Sequence, residues 1–420
     1  AGQSRRFRRG PLRGRQAPAR RSGQKGLAWR YYIMANPRQQ VNSGARTGLR
    51  HILVCPAINS LTWLPVAATF LGQVGAVPKM VDIMALSSYR SGLAIAGAVL
   101  FLAVSPTPAP GAEKNFDISK AVVGIKAHVP STARTARILG TERIGSGIVI
   151  DATGLILTIG YLILEADGAI VTGPGGKQAT ATVVAYDHDS GFGLLRIRGA
   201  LGTQPMRLGD SRKLRPGDKV LIASRGGNQP VIAANVVSRR VFTGGWEYML
   251  ESAIYTAPPH SFHSGAALIG EDGRLLGVGS LLVGDAAGPG RHVPGNMFVP
   301  VEILKPVLGE LLEQGRWAGK ARPWIGANTA EVAGRLVVTR VSPGGPAAKA
   351  GIEGGDLILG VGGKPVNGQA DFYRKIWNHG PAGISVPLNL LPKDLSQMKN
   401  RQVPVQSIDR SDWLRPRRSY

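Results

Sequence analysis

Residues 256–268 read Thr256-Ala-Pro-Pro-His-Ser-Phe-His-Ser-Gly-Ala-Ala-Leu268, a turn bounded by proline and glycine that leads into an apolar run. The turn presents Ser264 beside Gly265 and other small residues, which leave space for a substrate. Backbone N–H groups of such a turn can face a developing oxyanion, and acyl-transfer enzymes often present their nucleophile in this way. Because Ser-Gly-Ala also occurs in ordinary turns, the rest of the chain decides between a catalytic serine and a simple turn.

Short strands separated by turns with glycine or proline surround this serine. The run 143–151, RIGSGIVID, is joined by a turn to the apolar run 155–158. Further strand-like runs lie at 119–128, 179–186, 192–197, 219–224, 230–242, 248–255, 266–270 and 274–282. Many short strands at close spacing predict an all-β sandwich or barrel. From 301 to 316 the apolar residues recur with helical spacing, which predicts a linker helix.

Residues 322–392 have the pattern of a separate module. The run 342–366, SPGGPAAKAGIEGGDLILGVGGKPV, combines a short helix, glycine turns and a strand. A helix at 369–378 and a closing strand at 383–391 are predicted to follow. The segment 393–420 is polar and basic, and we interpret it as a tail.

The N-terminal part of the chain differs in composition. The net charge is +25, and residues 1–83 contribute +13 of it through 14 Lys and Arg against one acidic residue, Asp82. A strongly basic protein can be a nucleic-acid binder, but here half of the excess lies in one arm, so we predict no nucleic-acid partner. The sole cysteine, Cys55, also lies in this arm, so any disulfide would be intermolecular.

Residues 84–112 have the order of a secretory signal peptide. A stretch with one positive charge begins at Met84, the apolar run 93–104 follows, and small residues and prolines come after it. The apolar run is shorter than the roughly 20 residues that span a bilayer. We therefore predict export, with an uncleaved anchor or a buried helix as alternatives. A start at Met84 would make residues 1–83 a non-native upstream segment; the alternative is a genuine basic arm that binds anionic lipid or nucleic acid.

Taken together, these runs resemble the HtrA/Deg family of periplasmic serine proteases. The runs GSGIVID and GLILT resemble the strands that lead to the catalytic histidine of the family. The segment that carries the catalytic aspartate is resembled by VVAYDHDSGFGLLRI, and the turn that carries the catalytic serine is resembled by HSGAALIGEDGRLLGVGS. The resemblance implies a mainly β fold. A trypsin-like double β-barrel at 113–300 would be followed by a linker helix at 301–321, a PDZ domain at 322–392 and the basic tail at 393–420. It also implies a periplasmic location and a homo-oligomer, commonly a trimer.

Residue by residue, the catalytic triad of the family is not retained. The histidine position is Tyr161, the aspartate position is Gly191, and Ser264 keeps the nucleophile position. Phe262 and His263 stand in the oxyanion-hole region, where the family has glycine and asparagine. We expect the backbone conformation of that glycine to be one that Phe262 resists.

These changes predict a pseudoprotease, because a phenol with a pKa of about 10 is protonated at neutral pH and is a poor base. The alternative is a serine endopeptidase in which Ser264 uses a non-standard base. The candidate bases are His260, His263 and His188.

The predicted PDZ domain keeps the features of a peptide-binding module. By resemblance, Trp324-Ile325-Gly326-Ala327 is the loop that receives a terminal carboxylate, while Phe372 and Ile376 line the groove or instead pack the core. This implies that the partners are protein C-termini or unfolded polypeptides. We predict no cofactor and no metal, since His128 and His292 lack ligand spacing.

Overall fold

A computed structural model describes residues 117–225, 230–317, 319–394 and 399–414. The predicted basic arm, the signal segment and Met84 lie outside the described residues. In the described part the chain forms two closed antiparallel barrels followed by an antiparallel sheet with short helices. The predicted mainly β fold is confirmed. Within these residues, none of the helices has the length and apolar character needed to cross a membrane.

The first barrel contains Tyr161 and Gly191, which the sequence resemblance predicts to stand at the histidine and aspartate positions of the family. Its strands are β1 (Val122–His128), β2 (Glu142–Val149), β3 (Leu155–Ile159), β4 (Gly168–Thr172), β5 (Gln178–Tyr186) and β6 (Phe192–Ile197). They pair in the order β1-β2-β3-β6-β5-β4, and β4 returns to β1. Strand β2 passes close to the serine turn, since a Cβ at Gly145 would lie 2.8 Å from the carbonyl oxygen of Ser264.

The second barrel carries the serine turn. Its strands are β7 (Lys219–Ala223), β8 (Val231–Gly244), β9 (Tyr248–Ala257), β10 (Ala267–Ile269), β11 (Leu275–Val283) and β12 (Gly295–Pro300). They pair in the order β10-β11-β12-β9-β8-β7, and β7 closes on β10. Strands β8 and β9 form the longest hairpin, whose turn at 245–247 contacts the PDZ domain.

The helices are short. They are α1 (Ile118–Ala121), α2 (Ala136–Leu139), α3 (Leu308–Gln314), α4 (Pro346–Lys349), α5 (Gly368–Asn378) and α6 (Arg410–Leu414). The linker differs from the continuous helix expected over 301–316, because a 3₁₀ turn at Val301–Ile303 precedes α3. Pro306 accounts for the break, since proline lacks an N–H donor and disfavours helical backbone in the residue before it.

The PDZ domain is an antiparallel sheet covered by α5. Its strands are β13 (Ala327–Val332), β14 (Arg335–Val341), β15 (Leu357–Val361), β16 (Lys364–Pro365), β17 (Ser385–Leu391) and β18 (Arg401–Gln406). Strand β18 pairs with β17, so the sheet continues into the segment that we interpreted as a polar tail. The reason is a short alternation in which Val403 and Val405 are buried while their neighbours Gln402, Pro404 and Gln406 are exposed.

Candidate functional site

The serine turn is held between two strands by backbone hydrogen bonds. The carbonyl of Ser264 accepts from the N–H of Ser146 on β2 at 2.8 Å, and the N–H of Gly265 donates to the carbonyl of Gly279 on β11 at 2.8 Å. Gly265 has a φ of +73°, and a Cβ there would collide with the carbonyl oxygen of Ser146. Glycine is therefore required beside the serine, and the turn is rigidly placed.

Tyr161 stands next to this serine, in the 3₁₀ turn Gly160–Leu162 that follows β3. Its hydroxyl oxygen lies 2.9 Å from Oγ of Ser264 and 2.7 Å from the carbonyl oxygen of Ser280. The hydroxyl of Tyr161 donates toward both acceptors, Oγ of Ser264 and the carbonyl of Ser280, which can only accept. The tyrosine therefore bridges the serine turn and β11.

The protonation state of Tyr161 decides what this contact can do. Burial raises its pKa to about 12, against a smaller lowering by the hydrogen bond with Ser264. With that pKa, only about one molecule in 10⁵ carries the phenolate at pH 7. A neutral phenol that already donates to a carbonyl cannot take the serine proton, so the described contacts give Ser264 no effective base.

Gly191 offers no carboxylate, and a side chain at this position would be crowded and would strain the backbone. Its φ is +76°, and a Cβ at this position would lie 3.1 Å from the hydroxyl oxygen of Tyr248. That hydroxyl donates to the carbonyl of Ser190 at 2.6 Å, so the ring is fixed there. The neighbouring Asp187 accepts from the backbone N–H of Ser190 at 3.0 Å and serves the turn itself.

Phe262, which we predict to stand in the oxyanion-hole region, uses its N–H within the serine turn. The N–H of Phe262 donates to Nδ1 of His260 at 3.0 Å, which directs this donor to a side chain of the same turn. Contrary to our expectation, Phe262 does not have the positive φ that a side chain resists.

The histidines proposed as substitute bases have other surroundings. His260 is buried, and its backbone N–H donates to Oδ1 of Asn296 at 2.6 Å. Nδ1 of His263 and Nδ1 of His188 are buried without a hydrogen-bond partner among the described residues. Burial lowers the pKa of both rings. Within the described residues, Oγ of Ser264 has its hydrogen bond with Tyr161.

A cleft that is open to solvent lies where the first barrel, the β8–β9 hairpin, the PDZ domain and α6 meet. His188 lines it, with its ring 4.5 Å from that of Tyr186. Asp189 lines it too and forms an ion pair with Arg322 at 3.2 Å, while burial raises the pKa of Asp189 to about 6. The charges in the cleft are paired and mixed, so they indicate no particular ligand.

The PDZ loop does hold a carboxylate, and it is one that the sequence reading missed. The N–H groups of Ile325, Gly326 and Ala327 donate to the side chain of Glu247, at 2.9, 2.6 and 2.9 Å. Trp324 packs on Trp413 with 4.9 Å between the ring centroids. No local sequence signal marks Glu247, because its role depends on a contact between two domains.

The predicted groove residues of α5 are part of the PDZ core. Phe372 and Ile376 are fully buried in one cluster with the strands of the sheet. Their neighbour Tyr373, equally buried, reaches out of this core to the β8–β9 hairpin and donates to the carbonyl of Gly244 at 2.8 Å. Across the described residues, no group of three or more His, Cys, Asp or Glu side chains is arranged to hold a metal.

Comparison with known proteins agrees with this architecture. A family described as "Trypsin-like peptidase domain" matches residues 145–278, and one described as "PDZ domain" matches residues 323–394. The periplasmic pH-dependent serine endoprotease DegQ of Escherichia coli is 30% identical over 260 residues, which are 60% of this chain and 57% of DegQ. The periplasmic serine endoprotease DegP of Salmonella typhimurium is 28% identical over 284 residues, covering 64% of this chain and 58% of DegP.

Two further similarities are to a mycobacterial protein and to a solved structure. Serine protease PepD of Mycobacterium tuberculosis is 29% identical, over 62% of this chain and 60% of PepD. A solved structure titled "HtrA-type protease AlgWS227A with tripeptide" is 20% identical with a TM-score of 0.45, covering 70% of this chain and 94% of that one. The chain thus spans under two thirds of the length of the three named relatives. It has the domain architecture of the HtrA/Deg family, a trypsin-like peptidase domain followed by a C-terminal PDZ domain.

Proposed function

We propose that this protein is an HtrA-like pseudoprotease that binds or scaffolds envelope proteins through its PDZ domain. The observation that carries the proposal is Tyr161, whose neutral phenol lies 2.9 Å from Oγ of Ser264 at the position of the catalytic base. Without a base the serine hydroxyl is a poor nucleophile. The loss of a carboxylate at Gly191 and the use of the Phe262 N–H by His260 support the same conclusion.

The size of the expected defect follows from these losses. Enzymes of this type that lack a triad member keep about 10³–10⁴-fold catalysis over water, through binding and the oxyanion hole. Loss of one oxyanion donor costs a further factor of about 10²–10³. Since both defects apply here, the expected hydrolysis is close to the uncatalysed rate.

The alternative is a serine endopeptidase that uses Ser264 with a non-standard base. It is favoured by the relatives DegQ, DegP and PepD, which are named as serine proteases. Under this alternative the barrel would have to bring His263, His260 or a phenolate of Tyr161 to the serine. If a phenolate of Tyr161 were the base, the rate of hydrolysis would rise about tenfold for each unit by which the pH is raised, up to the pKa of about 12.

Hydrolysis of an unfolded protein such as casein by the full chain, beside a Ser264→Ala variant, tests the proposal. A fluorophosphonate label on the same samples reports serine reactivity directly. We expect neither turnover nor labelling in either protein at pH 7–9, while circular dichroism shows both to be folded. Turnover or labelling that disappears in Ser264→Ala would contradict the pseudoprotease and support the endopeptidase.

We also propose a periplasmic location and a homo-oligomeric, trimeric assembly. The location is supported by the signal-like order of residues 84–112 and by two relatives named as periplasmic endoproteases. The N-terminus of the native protein, measured by mass spectrometry on cell fractions, tests both the export and the fate of residues 1–83. Light scattering of the purified protein tests the trimer.

A further inference from the structure

The turn of the β8–β9 hairpin lies against the edge of the PDZ domain where a peptide would add a strand. The N–H of Thr329 on β13 donates to the carbonyl of Gly245 at 2.9 Å. A Cβ at Gly245 would lie 2.7 Å from the carbonyl oxygen of Thr329, so the two backbones approach as only glycine permits. On the other side, Tyr373 of α5 binds the carbonyl of Gly244 and accepts from the N–H of Glu247. The turn is therefore hydrogen-bonded to both the strand and the helix that bound the groove.

Glu247 places a carboxylate in the loop that would receive a C-terminus. Its Oε1 accepts from the N–H groups of Gly326 and Ala327, and its Oε2 accepts from that of Ile325. The residue is only 8% exposed, and its φ is +57°, a conformation that non-glycine residues adopt only when other contacts hold them. Three short N–H bonds to one carboxylate are such contacts.

Met249 supplies the apolar part of the same contact. It belongs to barrel strand β9, yet it is buried in the hydrophobic cluster of the PDZ domain together with Ile325, Phe372 and Ile376. A peptide ligand would bring its carboxylate and its last side chain on one residue. The hairpin brings them on two residues, Glu247 and Met249, that are two positions apart.

We propose that the β8–β9 hairpin is a built-in occupant of the PDZ groove, and that a protein C-terminus binds only by displacing it. This rests on the proposed function, which assigns peptide binding to the PDZ domain. The ligand class that fits the displaced groups is a free terminal carboxylate on an apolar residue about the size of methionine or leucine. Because occupant and ligand compete for the same three N–H groups, the wild-type protein binds such peptides more weakly than an open groove would.

Side-chain contacts around the groove help to keep it closed. Arg374 of α5 forms a bidentate pair with Glu251 of β9, at 3.1 and 2.6 Å. Arg410 of α6 donates to the carbonyl of Trp246 at 3.1 Å. These contacts are exposed and individually weak, so the carboxylate of Glu247 and the side chain of Met249 carry most of the closure.

The test compares the full chain with its Glu247→Gln variant. Glutamine keeps the shape of the side chain but replaces one acceptor oxygen by an amide NH₂ group. This group is a donor, so it cannot accept from the N–H groups of the loop. Glu271→Gln, the same change on the exposed β10–β11 turn, is the matched control. The probes are a fluorescent decapeptide that ends in free leucine and the same peptide with an amidated C-terminus.

We expect Glu247→Gln to bind the free-carboxylate peptide at least about tenfold more tightly than the wild type and the control. We expect all three proteins to bind the amidated peptide weakly, because it lacks the free carboxylate. Equal affinity in the wild type and Glu247→Gln would overturn the built-in occupant and leave peptide binding by the PDZ domain intact.

A second measurement separates the occupant from the proposed function. Hydrogen exchange at the amides of Ile325, Gly326 and Ala327 reports the closure without any ligand. Faster exchange in Glu247→Gln than in Glu271→Gln, with no peptide bound by either, would support the occupant and contradict peptide binding as the function. Unchanged exchange would overturn the occupant, whatever the peptide does.

Discussion

The burial of Glu247 predicts that the stability of the protein falls as the pH rises through neutrality. Burial raises the pKa of Glu247 to about 7 from an ordinary value of 4.5, although the N–H groups of Ile325, Gly326 and Ala327 and the charge of Arg410 lower it. A raised pKa means that the folded state holds a proton that the unfolded state has lost. The stabilisation is then complete below pH 4.5 and is lost as the pH rises through 7. The difference between the two pKa values corresponds to about 3 kcal/mol.

The assay is urea unfolding of the wild type and of Glu247→Gln at pH 5, 6, 7 and 8. Taking the difference between the two proteins removes other titrating groups, including Asp189, whose pKa burial raises to about 6. We expect the wild type to lose about 2.5 kcal/mol relative to the variant between pH 5 and pH 8, with Glu271→Gln following the wild type. A difference that stays constant, or that favours the wild type at high pH, would refute the reasoning. It would mean that the three N–H groups and Arg410 outweigh burial.

Two further predictions concern the altered triad. Tyr161→Phe should lower the free energy of unfolding by about 1–3 kcal/mol, because the carbonyl of Ser280 loses its donor. Ser264→Ala should lower it by less, because that donor remains. Urea unfolding of both variants measures the two losses, and a larger loss in Ser264→Ala would contradict the prediction. Gly191→Asp should destabilise the protein by roughly 2 kcal/mol, because its φ is +76° and its Cβ would lie 3.1 Å from the Tyr248 hydroxyl. The Gly191→Asp variant should also gain no fluorophosphonate labelling, and wild-type stability or a gain of labelling would show that the position accepts a triad aspartate.

Much of the fold could be predicted because local sequence patterns determine where the strands and turns form. Apolar alternation and glycine turns located most strands of both barrels and of the PDZ sheet, and the Ser-Gly pair marked the tight turn at Ser264. The linker was misread because helical spacing continued through Pro306. Strand β18 was missed because its two inward residues, Val403 and Val405, lie in a short polar segment with a proline between them.

The decisive contacts of the site could not be predicted, because they join distant parts of the chain. The bond between Tyr161 and Ser264 spans 103 residues, and the bonds between Glu247 and the PDZ loop span 78 to 80. Whether a carboxylate on a hairpin turn faces solvent or another domain depends on how the domains pack. Neither periodicity nor turn chemistry carries that information, so Glu247 and Met249 looked like ordinary hairpin residues in the sequence.

The retained serine illustrates how a residue at a catalytic position can be explained without catalysis. The hydroxyl of Tyr161 donates toward Oγ of Ser264 and toward the carbonyl of Ser280, so the serine is one end of a part-buried polar bridge between the serine turn and β11. An alanine there would remove one of the two acceptors of the tyrosine hydroxyl, which has a cost whether or not the serine is catalytic. Fold and a conserved-looking serine therefore do not establish an activity. The base, the carboxylate and the oxyanion donor must be present together, and here a neutral phenol, a glycine filled by Tyr248 and an N–H bound to His260 take their places.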